Sequence, residues 1–124
     1  MIGRPIAGFQ HLVDGVYVAP NKITVAEWLT HWLAGRQGIA ETTLDGYRRD
    51  IKRAIEGVGS IRLRDLTPTT LSAFYGELSG RGLAPATVKN THAALHKAFE
   101  DAVRQGILAR NPADHVELPD RNRR

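Results

Sequence analysis

Four stretches of the chain open on threonine or proline and close on glycine, namely "TVAEWLTHWLAG", "TTLDGYRRDIKRAIEGVG", "TPTTLSAFYGELSG" and "PATVKNTHAALHKAFEDAVRQG". A threonine hydroxyl can accept from the unpaired amides of a first helical turn, and proline fits the first helical position because no partner awaits its missing N–H. Glycine permits the backbone reversal after a last turn. Between these marks the apolar residues recur at helical spacing, and no stretch of comparable length alternates with the period of a strand. The chain is therefore predicted to be all-α, an orthogonal bundle of four to five helices built as two helical hairpins.

In the first stretch Thr24 and Glu27 have capping-box spacing, and Val25, Trp28, Leu29, Trp32 and Leu33 form its buried stripe, with an end near Gly35 to Gly38. In the second, Thr42 or Thr43 is read as the cap and Asp45 as a first-turn acid. At about 100° per residue, Leu44, Tyr47, Ile51 and Ile55 then share one side, and Thr42, Asp45, Arg49, Lys52 and Arg53 the other. In the third, Thr67 caps, Pro68 opens the helix, and Leu71, Phe74, Tyr75 and Leu78 turn inward. The fourth is the longest, with Val88, Leu95, Ala98, Phe99 and Ala102 inward and Ala86, Lys89, Asn90, Ala93, Lys97 and Arg104 outward. The opening "MIGRPIAGFQHLVDGVYVAPNK" lacks helical period and offers "GVYVA" as its one extended piece. "ILARNPADHVELPDRNRR" adds a short helical turn at most before an Arg-rich tail.

Composition bounds what such a bundle can do. At 124 residues and 42% apolar, one domain with a modest core is expected. Lys and Arg number 17 against 13 Asp and Glu, a net charge of +4 with a pI near 9.9. That balance tilts toward an anionic partner such as nucleic acid. The absence of cysteine excludes disulfides, thiolate catalysis and Cys-based zinc sites. No apolar run has the length of a membrane span and no signal-peptide pattern opens the chain, so a cytoplasmic protein with no membrane association is expected.

The basic side of the second helix is either a solvated face, with Asp45 and Glu56 supplying intrahelical pairs, or a docking surface for a polyanion. Thr42 and Thr43 can offer hydroxyls or backbone amides to a phosphate. On the fourth helix, Ala86 and Ala93 allow close approach of the backbone while Asn90 has the donor and acceptor pair that reads a base edge, adenine above all. Thr87, Lys89 and Lys97 suit phosphate. His92, His96 and Glu100 stand at four-residue intervals, but they lack a fourth ligand and the HExxH pattern, so no metal and no cofactor is expected. No nucleophile, base and orienting group can be assembled, so no catalytic residue is assigned.

The order "ITVAEWLTHWL", "TTLDGYRRDIKRAI", then "LRDLTPTTLSAFYGELSGRGLAPATVKNTHAALHKAFEDAVRQGILARNPADHVELP" resembles the core-binding domain of tyrosine site-specific recombinases, the phage integrase group. The resemblance implies a SAM-like helical domain that grips one face of duplex DNA at a recombination core site while a separate C-terminal catalytic domain grips the other. It implies that the second and fourth helices approach the major groove, which favours Thr42, Thr43, Arg49, Lys52, Arg53, Thr87, Lys89, Asn90 and Lys97 as DNA contacts. It further implies a division into 1–22 as a linker or appended segment, 23–118 as the binding domain, and 119–124 as the start of a linker to a catalytic domain. The isolated domain is then expected to be a monomer and not itself an enzyme. The rival is a helical protein-interaction module whose positive charge is incidental. A standalone helix-turn-helix is disfavoured by the long connector between the second and third helices.

Overall fold

The computed structural model describes residues 12–13, 16–17 and 22–118. In chain order these form the two-residue strands β1 (Leu12–Val13) and β2 (Val16–Tyr17), then α1 (Val25–Ala34), α2 (Glu41–Val58), a 3₁₀ turn (Leu63–Asp65), α3 (Pro68–Gly80) and α4 (Pro85–Arg104). The fold is all-α apart from the antiparallel β1–β2 pair, in which Leu12 faces Tyr17 and Val13 faces Val16. The predicted extended piece at "GVYVA" thus contains β2. The tail 119–124 and most of the opening segment lie outside the described residues. No described helix is long and apolar enough to cross a membrane.

The caps explain where three helices begin. Thr24 accepts from the Glu27 amide at 3.1 Å while Glu27 accepts from the Thr24 amide at 2.8 Å, so both box bonds close. Thr67 accepts from the Thr70 amide at 3.1 Å and Pro68 follows it. Pro85 opens α4 in the same way, after an alanine without a side-chain cap. Gly82 and Gly106 take φ of 93° and 80° just beyond α3 and α4, where a β-carbon would be strained. α2 differs from expectation. Its N-cap is Ala40, with no side-chain cap, and Thr42 and Thr43 lie exposed inside the first turn.

α1 packs on α2, and α3 on α4, as two hairpins, and α2 also lies along α4. The connector after α2 holds the start of α1, through Val25 N–H to the Ile61 carbonyl and Leu63 N–H to the Ile23 carbonyl, each 2.8 Å. One contiguous core joins all four helices, with Trp28, Leu29, Ile51, Leu71, Tyr75, Leu95 and Phe99 fully buried. The C-terminal segment adds only turns, so the described bundle has four α-helices. Asn111 closes its own turn by accepting from the Ala113 amide at 2.8 Å.

Candidate nucleic-acid interface

The cations of α2 divide by the acids within reach. Arg48 lies 2.6 Å from Asp45 and 3.6 Å from Glu41, so two carboxylates answer it. Arg49 and Lys52, on the next stretch of surface, are exposed and form no hydrogen bond or ion pair among the described residues. The expected role of Asp45 is therefore reassigned: it pairs with Arg48, leaving Arg49 and Lys52 available. Glu56 makes no ion pair among the described residues.

Arg53 corrects the helical wheel more sharply. It was placed with the outward residues, yet its side chain is about three-quarters buried, at 24% exposure. Its Nη1 donates to Asp50 Oδ1 and to Thr91 Oγ1, each at 3.1 Å, and the Thr91 hydroxyl donates to the same Asp50 oxygen at 3.1 Å. Burial pushes the Asp50 carboxyl above its ordinary value, partly offset by the Thr91 hydrogen bond and the charges of Arg53 and Arg49. Thr91, on α4, is fully buried.

Arg49, Lys52, Arg53 and Arg81 line an open groove of about 480 Å³, with Glu56 and Leu83 completing its wall. Four cations against two carboxylates, Glu56 on the wall and Asp50 behind Arg53, leave a net positive charge that favours anion density there. Arg81 was missed from sequence because it caps α3 and belongs to no periodic stretch. Thr42 lies on the same side of α2 as Arg49, about 20° from it round the helix, while Thr43 is turned about 120° away.

On α4, Ala86, Lys89, Asn90, Ala93 and Lys97 are exposed and Thr87 is half-buried. Lys89, Asn90 and Lys97 make no hydrogen bond or ion pair among the described residues. Thr91 faces α2, so Thr87, about 40° from it round the helix, and Asn90, about 100° away, adjoin the groove side. Lys97 is about 120° away and further along, and Lys89 about 160°; neither lines the groove itself.

The histidines serve other ends. The Tyr75 hydroxyl and His92 Nδ1 share a hydrogen bond of 3.0 Å, ring edge to ring face. Burial pushes the Tyr75 phenol up and, with the charge of His96 adding to it, pulls His92 down, so a neutral pair is favoured. His96 instead meets Asp114 at 2.8 Å, while Asn111 Nδ2 donates to Glu100 at 3.1 Å and to the His96 carbonyl at 3.0 Å. One ligand atom each of His96, Glu100 and Asp114 lies within 4.8 Å of the others, a spacing open to a divalent ion. As they stand, these groups partner one another or Asn111 and hold the C-terminal turn on α4. A second cleft, of about 420 Å³, is lined by Asn111, Pro112 and His115 of that turn together with Arg64, Leu108 and Arg110.

Comparison with known proteins gives one consistent result. The family described as phage integrase, N-terminal SAM-like domain, matches residues 25–106. A tyrosine recombinase XerC of Chromohalobacter salexigens is 35% identical over 96 residues, which cover 75% of this chain and 32% of that protein. The solution structure of a phage integrase SAM-like domain from Moorella thermoacetica superposes with a TM-score of 0.67 at 31% identity, covering 85% of this chain and 92% of that one. A lambda integrase dimer bound to a COC′ core site shares the fold with a TM-score of 0.74 at 24% identity, covering 85% of this chain and 30% of that one. The chain spans about a quarter to a third of the length of the curated relatives it matches.

Proposed function

This chain belongs to the phage integrase family through its N-terminal SAM-like domain, and on that premise we propose that it docks on duplex DNA through the groove between α2 and the α3–α4 connector, together with the adjoining stripe of α4. The observation that carries this proposal is the convergence of Arg49, Lys52, Arg53 and Arg81 on one open groove, three of them without an acidic partner among the described residues. Such cations gain by replacing condensed counterions along a phosphate backbone. Arg49, Lys52, Arg53 and Arg81 grip phosphates, Thr42 adds a first-turn donor with Thr43 turned off the groove side, and Thr87 and Lys97 meet the backbone further along. Asn90, flanked by Ala86 and Ala93, reads a base edge in the major groove. Lys89, turned away from the groove, contributes least.

The domain, residues 23–118, acts as the non-catalytic half of a clamp at a recombination core site. Strand cleavage and rejoining belong to a separate catalytic domain of the parent protein, working on DNA in the cytoplasm. The described surface favours the DNA assignment over a protein-interaction module: Ile39, 37% exposed, is the single large hydrophobic side chain exposed among the described residues, so no apolar docking patch is on offer there.

Fluorescence anisotropy with a labelled mixed-sequence duplex tests the proposal. Binding is expected in the micromolar range, weakening with salt at a log-log slope of about −4, or about −0.9 for each phosphate neutralised by the four groove cations and Lys97. The same protein is expected to leave supercoiled plasmid neither nicked nor relaxed. Salt-insensitive binding, or a covalent protein–DNA adduct, would overturn it.

A further inference from the structure

Thr91 and Asn111 are the buried polar side chains among the described residues. Asn111 is accounted for by the C-terminal turn that it closes. Thr91 is not accounted for by its own helix, because its hydroxyl is spent entirely on α2, giving to Asp50 and taking from Arg53. These are the only side-chain hydrogen bonds that join α2 to α4 among the described residues.

We propose that Asp50 and Thr91 are positioning residues that hold the Arg53 guanidinium in a fixed pose on the wall of the basic groove. The proposal rests on the groove being a DNA surface, and it deepens that assignment: neither residue touches the ligand. A largely buried carboxylate, as Asp50 is at 14% exposure, is a poor way to stabilise a fold, since desolvation offsets much of what its partners return. What a closed ring of three hydrogen bonds supplies is a single geometry. Arginine carries five N–H donors, and Arg53 spends only those of Nη1 on this ring, leaving Nη2 and Nε for an incoming phosphate. An arginine ordered before binding loses less freedom on contact than the exposed Arg49 beside it.

Charge and positioning predict opposite signs here, which makes the idea testable. Removing the Asp50 charge raises the net positive charge at the groove, so electrostatics alone predicts that Asp50→Ala and Asp50→Asn both bind duplex more tightly than the wild type. Positioning predicts that Asp50→Ala and Thr91→Val bind about threefold to tenfold more weakly, the range spanned by ordering one long side chain at an interface. Asp50→Asn keeps an acceptor oxygen and Thr91→Ser keeps the hydroxyl, so both are expected to restore binding. Anisotropy titrations of the four variants, each first checked by urea denaturation, read this directly. NMR relaxation of the Arg53 Nε–H group in the DNA-free protein supplies a second readout. It is expected to be restricted in the wild type and Thr91→Ser, and as mobile as Arg49 in Asp50→Ala and Thr91→Val. Tighter binding by Asp50→Ala, or an Arg53 as mobile in the wild type as in that variant, overturns the proposal. Failure of the wild type to bind any duplex would instead remove the DNA surface on which it rests, while the relaxation data still decide whether the lock exists.

Discussion

Of its neighbours, the long helix α4 meets α1 and α2 with two different chemistries. Toward α1 it presents a dry seam: Trp28 is 1% exposed and its indole N–H donates to the Ala98 carbonyl at 3.0 Å. One turn on, the Trp32 indole donates to Asp101 at 2.7 Å, with the Arg36 guanidinium 4.5 Å above its ring. Toward α2 it presents Thr91, in a polar ring that opens onto a groove of cations. In the first seam each indole donor is used within the protein; in the second, Arg53 retains donors that the fold does not use. A seam that closes on itself supplies stability, and one with donors to spare supplies a surface. The two kinds of residue should therefore separate cleanly under mutation.

Trp28→Ala carries the largest expected effect. Losing a buried indole costs about 3 to 5 kcal/mol, a large share of the stability of a domain this size. Urea denaturation checks it, and a loss below about 1 kcal/mol would mean that the α1–α4 seam is not the anchor. Next comes the double change Arg49→Ala with Arg81→Ala. It should change the stability read by urea little, within about 0.5 kcal/mol, while flattening the salt slope of duplex binding by about two units. If stability falls and binding holds, the two regions have been assigned the wrong way round.

Gly57→Ala sharpens the packing side of the comparison. A β-carbon there would lie 2.3 Å from Phe74 Cε1, inside a side chain that is itself only 4% exposed. Alanine gains about 1 kcal/mol of helix propensity over glycine, and displacing the ring costs about 1 to 3 kcal/mol. A modest net destabilisation in urea is expected, with duplex binding by the folded fraction unchanged. The smallest effect is on pH. Burial, with the charge of His96 adding to it, holds His92 below its ordinary 6.5, so the unfolded chain binds a proton that the folded one resists. The stability from His92 is full above pH 6.5 and declines as pH falls through the lowered value. Asp50, raised from 3.8, acts in the opposite sense in more acidic solution, where its protonation favours the folded state. Urea midpoints followed from neutral to mildly acidic pH should therefore fall, and His92→Gln should flatten that fall.

Much of the scaffold was legible because its signals are local. The Thr24–Glu27 box, the Thr67–Pro68 start and the inward stripes of α3 and α4 all depend on residues within a turn or two of one another. The start of α2 was misread because the rule looks for a hydroxyl, and Ala40 caps without one. The partner of β2 also went unread, although "DG" between Val13 and Val16 is itself a hairpin signal. The candidate surface was harder. A helical wheel gives the direction of a Cβ, not where a long side chain ends, so Arg53 was counted as outward although it reaches across to Thr91 on α4. Arg81 carries no periodic signal, and the contact between Thr91 and Asp50 spans 41 residues of sequence.

The most direct measurement is an NMR titration of the isotope-labelled protein with a short duplex, following backbone amides and indole N–H groups together. The account predicts shifts concentrated at Arg49, Lys52, Arg81, Thr87 and Asn90, with the indole signals of Trp28 and Trp32 unmoved. Shifts gathered instead around Arg64, Arg110 and His115 in the second cleft, or at the indoles, would contradict it.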